Sequence, residues 1–319
     1  MYTASNCVVG ALIVWLGGGI AETVAAGVLA ALAGATTAVL LEVYWPLTSW
    51  KSERDVMRHP RKYLPPAAAL LALEPDAVVY TAETETRFME AIEDFQRFLR
   101  AGIDVCSTAM TPWIWPTMHL NPPNWIEPVT VACELGESSC FTTGIDPGFA
   151  NDVLPLATTS LSRRIDHIRV GEIADYSVYH QGETMRRLFG FGQPMDTLPP
   201  LLRRRMLAAG WGSVVRQLAA ALDVTLDEPL VERHERLPAD RDLSLLACEV
   251  PEGTQAALRF EVVGQVDGEF RIVLEHVTRT AHDQAPDWPR PDHGDGCYRV
   301  EISGVRGQAP PPSMSMDAS

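Results

Sequence analysis

Apolar residues gather in unbroken short runs in the first half of the chain and alternate with polar ones in the second. Cys7 to Leu16 (CVVGALIVWL) is apolar and partly β-branched, which predicts a strand buried on both faces. Gly17, Gly18 and Gly19 follow. Ile20 to Leu32 then predicts a helix of small and aliphatic residues, Ala33-Gly34-Ala35 breaks it, and Thr36 to Tyr44 predicts a second strand. Pro46 to Pro66 is polar and proline-punctuated, so a loop is expected. Ala67 to Leu73 predicts a short helix and Ala77 to Thr81 (AVVYT) a strand. Glu83 to Arg100 predicts an amphipathic helix with Phe88, Ile92, Phe95 and Leu99 on one stripe, capped by Ala101-Gly102. Ile103 to Ser107 and Ser139 to Thr143 predict strands, with an irregular Thr111 to Pro128 and a short helix over Val129 to Gly136 between them.

In the second half, Pro147 to Leu161 is expected to open a helix, and Asp166 to Tyr176 alternates like a strand. Leu201 to Leu222 contains a helix with Trp211 and Leu218 inward. Ala256 to Val266 and Glu269 to Thr278 predict a hairpin across Val266-Asp267-Gly268-Glu269, and Tyr298 to Ile302 a final strand. The expected fold class is α/β. A Rossmann-like parallel sheet over residues 1–145 is joined to a second α+β domain for substrate and dimer contacts over 146–305, with a disordered tail over 306–319.

Composition narrows the partners. The 319 residues are 46% hydrophobic and carry 41 acidic against 26 basic side chains, a net charge of −15. That excess argues against a nucleic-acid backbone as partner. The cysteines Cys7, Cys106, Cys133, Cys140, Cys248 and Cys297 are irregularly spaced with no C-x-x-C pair, which predicts reduced thiols and a cytoplasmic protein. Val8 to Leu41 carries one formal charge, Glu22, but is rich in Ala and Gly and has no basic amino-terminal region. A buried β-α-β unit is the expected reading there, with a membrane anchor over residues 8–41 as the alternative.

The glycine turn is the first candidate for chemistry. A phosphate-binding turn needs glycine so that pyrophosphate can approach backbone N–H groups at a helix start. The stretch Leu16-Gly17-Gly18-Gly19-Ile20-Ala21-Glu22 has the right context, and Gly17, Gly18, Gly19 and Ile20 are candidate cofactor contacts. Its letters depart from G-x-G-x-x-G, and Glu22 would repel a pyrophosphate. Glu42 is near the distance of a ribose-binding carboxylate, and Lys51 and Arg54 follow it.

Six phrases carry a resemblance: AVVYTA (77–82), AGIDVCST (101–108), TTGIDPGFANDVLPL (142–156), VGEIADYSVY (170–179), FGFGQP (189–194) and APDWPRPDHGDGCYRV (285–300). Together they resemble the 2,4-diaminopentanoate dehydrogenase and amine dehydrogenase family of the dihydrodipicolinate reductase-like group, especially its actinobacterial-type relatives. The resemblance implies a homodimer binding NAD or NADP. It places Thr81, Ala82, Ser107 and Thr108 beside the cofactor at strand ends. It also sets the Gly144-Ile145-Asp146-Pro147-Gly148-Phe149 loop between nicotinamide and substrate, with Asp146 where the family has Asn. The same loop reads locally as a tight turn with Asp146 as helix N-cap and Pro147 at the first helical position. Met110, Phe149, Tyr176 and His180 are the candidate substrate-pocket residues, His180 as a pocket acid–base group or a surface histidine.

Three departures accompany the resemblance. Amine-active members place a glutamate soon after the Ser-Thr pair, whereas Ser107-Thr108-Ala109-Met110-Thr111 has no carboxylate. The glycine turn is degenerate. The chain ends in a proline-rich tail, as a shortened or frame-altered product would. No catalytic residue is assigned. His276, His282 and His293 with Asp283, Asp292 and Asp295 fit no ligand spacing, so no metal is expected. The expected function is an NAD(P)-dependent oxidoreductase exchanging hydride with a small amine, imine or carbonyl. The alternatives are an inactive paralogue keeping the fold and dimer interface, and the membrane-anchored protein.

Overall fold

The computed structural model describes residues 12–14, 67–82, 84, 87–116 and 123–306. The glycine turn at Gly17 to Ile20, the strand expected over Thr36 to Tyr44, most of the 8–41 segment and the tail beyond Arg306 lie outside the described residues. Among the described residues no helix is long and apolar enough to cross a membrane.

The first sheet holds β1 (Leu12–Val14), β2 (Ala77–Tyr80), β3 (Asp104–Ser107) and β4 (Cys140–Thr142), in that order. Strands β2, β3 and β4 are parallel. β1 runs antiparallel to β2, with Leu12 opposite Val79 and Val14 opposite Ala77. This corrects the expectation of a first parallel strand. An apolar run reports burial on both faces, not the direction in which the strand pairs.

Three helices accompany this sheet: α1 (Ala67–Leu71), α2 (Phe88–Arg100) and α3 (Pro123–Gly136). The stripe of α2 buries Ala91, Ile92, Phe95, Phe98 and Leu99, and Gly102 ends it at φ 78° with its N–H donating to the Leu99 carbonyl. α3 starts five residues before Pro128, where an irregular segment was expected. The proline withholds a donor only from the carbonyl of Asn124, which is exposed to water.

The second sheet is mixed. Its strands are β5 (Ser162–Asp175), β6 (Asp227–Pro238), β9 (Gln255–Val266), β10 (Glu269–Arg279) and β11 (Gly296–Arg306), in the order β11-β5-β10-β9-β6. β5 and β10 are parallel and the other pairs antiparallel. A two-stranded ribbon of β7 (Leu243–Ser244) and β8 (Glu249–Val250) lies apart. The β9–β10 turn has positive φ at Asp267 (54°) and Gly268 (82°), as a two-residue hairpin turn demands. The sequence did not announce β6, because this edge strand is polar along most of its length and its buried side chain is Leu230.

Helices α4 (Val153–Thr159) and α5 (Met206–Ala221) complete this half. Trp211, Val214, Val215 and Leu218 of α5 join Ile168, Val170, Phe260, Val262, Ile272 and Leu274 of the strands in one core. Each such side chain contributes about 1.5–3 kcal/mol on burial. The opposite face of the sheet carries Arg169, Arg259, Glu261 and Glu275 in an ion network. α5 also reaches the Thr111–Trp113 turn that follows β3, since the Ser213 hydroxyl donates to the Thr111 carbonyl at 2.9 Å.

Candidate functional site

Parallel register aligns Tyr80, Ser107 and Thr142 at the carboxyl ends of β2, β3 and β4. Thr81, Thr108 and Thr143 therefore emerge along one edge, the usual cleft side of a parallel sheet. The Thr108 N–H donates to the Tyr80 carbonyl at 3.2 Å and the Thr143 N–H to the Ser107 carbonyl at 2.9 Å. Ser107 is buried and its hydroxyl is committed to the backbone: it donates to the Tyr80 carbonyl at 3.0 Å and accepts from the Ala109 N–H at 2.9 Å. Ala82 is buried, Thr81 half-buried and Thr108 exposed. Thr143 has a buried hydroxyl with no hydrogen-bond partner.

Met110 follows in a left-handed conformation (φ 59°) that turns the chain into the Thr111–Trp113 helical turn. Its side chain is 1% exposed, inside the first core with Phe95 and Trp113. An apolar side chain beside a strand end is drawn into the nearest core.

The loop after β4 closes on itself. Ile145 and Gly148 form an isolated bridge, and the Phe149 N–H donates to the Gly144 carbonyl at 2.8 Å. Gly148 has φ 145°, and a Cβ there would lie 2.2 Å from the Gly144 nitrogen, so only glycine closes this turn. The Asp146–Pro147 peptide is cis. α4 begins at Val153, with the Asp152 carboxylate accepting from its N–H, so Asp146 caps no helix and the N-cap reading is corrected. Instead Asp146 Oδ1 accepts from the indole N–H of Trp211 at 2.6 Å, and Oδ2 accepts from the Asn151 amide at 3.3 Å.

The second sheet supplies the rest. Parallel pairing sets His276 of β10 opposite Glu172 of β5. Both are buried, 1% and 7% exposed. Glu172 Oε1 accepts from the Tyr176 hydroxyl at 2.7 Å and lies 3.4 Å from His276 Nε2. His276 Nδ1 is 2.9 Å from the Thr278 hydroxyl. The imidazole stacks on Phe260 at 4.9 Å, and the rings of Trp211, Phe189 and Tyr176 stand 5.7, 6.0 and 6.2 Å away. One polar atom each from Asp146, Glu172 and His276 lies within 4.8 Å of the others. Such a trio has the composition of a divalent-cation ligand set, but all three side chains already bond protein partners.

Asp146, Glu172 and His276 are electrostatically coupled. Burial, reinforced by the charge of Glu172, pushes Asp146 up to about 6 against the pull of His276 and its two hydrogen bonds. Burial also works to raise Glu172, but the charge of His276 and hydrogen bonds from His276, Tyr176 and Tyr298 hold it below the usual range. Burial works to lower His276, and Glu172 and Asp146 together raise it. Three sites with interlocking affinities for protons sit in one aromatic-walled corner.

Of the sequence candidates, Asp146 and Tyr176 enter this cluster. Tyr176 also stacks on Tyr179 at 4.5 Å. Phe149 is exposed on the loop and His180 half-buried beyond Tyr176. The sequence reading missed Glu172, Asn151 and Trp211 as site residues, and it grouped His276 with His282 and His293, both of which are exposed. A signal existed. Glu172 and His276 continue the inward-facing series Ile168, Val170 and Ile272, Leu274, so each is a titratable group at an apolar position.

No protein-family model matches this chain. It is similar to an amine dehydrogenase of Streptomyces virginiae, 46% identical over 239 residues, which cover 74% of this chain and 65% of that protein. The chain thus spans about two-thirds of the length of that curated relative. Among solved structures, an amine dehydrogenase from Mycobacterium smegmatis matches with a TM-score of 0.57 at 14% identity, over 76% of this chain and 68% of that one. That likeness shows a shared α/β fold, and the resemblance to amine dehydrogenases holds at the level of sequence similarity.

Proposed function

We propose that this chain is a nicotinamide-dependent oxidoreductase acting on a small amine, imine or carbonyl substrate. The observation that carries the reading is the 46% identity to an amine dehydrogenase over 239 residues. The finer assignment, to the 2,4-diaminopentanoate and amine dehydrogenase group, rests on the six phrases of the sequence. So do the homodimer, the cytoplasmic location and the choice of NAD or NADP.

The described residues fit a nicotinamide cofactor in one specific respect. The carboxyl edge of β2, β3 and β4 is lined by Thr81, Thr108 and Thr143, and the Thr143 hydroxyl is buried without a partner. An orphaned buried hydroxyl is stabilised by a polar ligand group such as a carboxamide. Thr108 and Thr143 would hold the cofactor there, and its nicotinamide ring would supply hydride chemistry. The protein's own part lies in the second sheet. Trp211 and Asn151 orient Asp146, Glu172 and His276 hold a proton between them, and Phe260 and Trp211 keep water from the cluster.

Titration with NADH and NADPH, followed by nucleotide fluorescence and thermal shift, tests the reading. A saturable response to at least one is expected. No response to either at millimolar concentration overturns it. An inactive paralogue is the second reading, favoured by the absence of a carboxylate in Ser107-Thr108-Ala109-Met110. It predicts cofactor binding without turnover of any small amine.

A further inference from the structure

We propose that Asp146 is the specificity-determining carboxylate of this site, selecting a primary ammonium over a neutral alcohol of the same size. The inference rests on the oxidoreductase reading and assigns a residue within it. Glu172 and His276 lie 3.4 Å apart and neutralise each other. Asp146 has only neutral donors, the Trp211 indole and the Asn151 amide, and among the described residues no arginine or lysine forms an ion pair with it. The uncompensated negative charge of the cluster therefore resides on Asp146.

A second observation points to a ligand. Asn151 is fully buried, its amide nitrogen reaches Asp146, and its carbonyl oxygen, at the same side-chain tip, has no partner. A primary ammonium brings three N–H donors. It can satisfy the Asn151 oxygen and bond the Asp146 carboxylate at once, whereas an alcohol has a single donor and no charge. Asp146 is on the loop after β4, whereas Glu172 and His276 are on strands of the second sheet and are buried.

The groups facing Asp146 are Glu172 from β5, His276 from β10, Tyr176 just beyond β5 and the neutral indole from α5. With Asp146 pushed up to about 6, ammonium affinity rises with pH through that value as the carboxylate ionises.

The test follows the indole N–H signal of Trp211 by NMR, assigned with Trp211→Phe, while n-butylammonium or 1-butanol is added with and without NAD(P)H. Butylammonium is expected to move the signal saturably, more tightly at pH 7.5 than at pH 5, and butanol to leave it in place. Asp146→Asn, checked by its melting curve, should weaken butylammonium about tenfold or more. An equal response to butanol, no response to butylammonium, or undiminished binding in Asp146→Asn overturns the proposal. The alcohol comparison does not depend on Asp146→Asn and stands even where that variant fails to fold. Cofactor fluorescence in the same samples separates the two levels. If NAD(P)H binds but ammonium does not, the assignment of Asp146 falls and the oxidoreductase reading stands.

Discussion

Glu172 and Glu275 sit on neighbouring parallel strands, each 7% exposed, on opposite faces of one sheet. Glu275 faces the outer side between two guanidiniums, Arg169 at 3.1 Å and Arg259 at 2.6 Å. Glu172 faces the core, where its partners are a histidine and tyrosine hydroxyls. Equal burial thus yields two kinds of carboxylate. One pairs with two guanidiniums, and the other with an imidazole and tyrosine hydroxyls. Burial alone does not distinguish the two carboxylates. The chemistry of their partners does.

The largest test of this contrast lies in Phe260, whose ring supports His276 on the inner face. Phe260→Ala should cost about 3–5 kcal/mol, read as a large drop in melting temperature. Asp146→Asn comes next. Its kcat/KM for a primary amine should fall about tenfold or more, with little change in melting temperature. An unchanged kcat/KM would break the assignment of the inner face to substrate binding.

The pH dependence of stability sharpens the contrast further. His276 is raised above its unfolded value of about 6.5, so its stabilisation is full below that pH and is lost as pH rises through the folded value. Glu172 is held below its unfolded value of about 4.3, so its stabilisation is present above that pH and fades as pH falls through the folded value. The pair therefore stabilises most between about pH 4.3 and 6.5. Melting temperature should decline as pH rises above that window, and Glu172→Gln should flatten the decline. A decline of equal size in Glu172→Gln would detach it from the pair.

The smallest effect belongs to the outer face. Arg259 is one-third exposed, and Arg259→Met leaves Glu275 paired with Arg169. Its cost should be about 1 kcal/mol or less, with kcat unchanged. A loss matching that of its neighbour Phe260 would erase the distinction between the faces.

Periodicity and turn chemistry in the sequence determined the elements that bury a clear stripe. The Phe95 helix, the Ala77 and Asp104 strands and the Asp267-Gly268 hairpin all follow from local pattern. The polar edge strand β6 left no such pattern, and the antiparallel direction of β1 is not written in an apolar run. Asp146 and Tyr176 were legible as candidates because the loop and strand that carry them are distinctive in the sequence. Their partners were not. Glu172 and His276 are 104 positions apart, and only the parallel register of β5 and β10 sets them opposite each other. Asp146 reaches them because α5 brings the Trp211 indole across from the second core. Such proximity is decided by strand pairing and helix packing, which act between segments far apart in the chain, and local residue patterns carry no record of it.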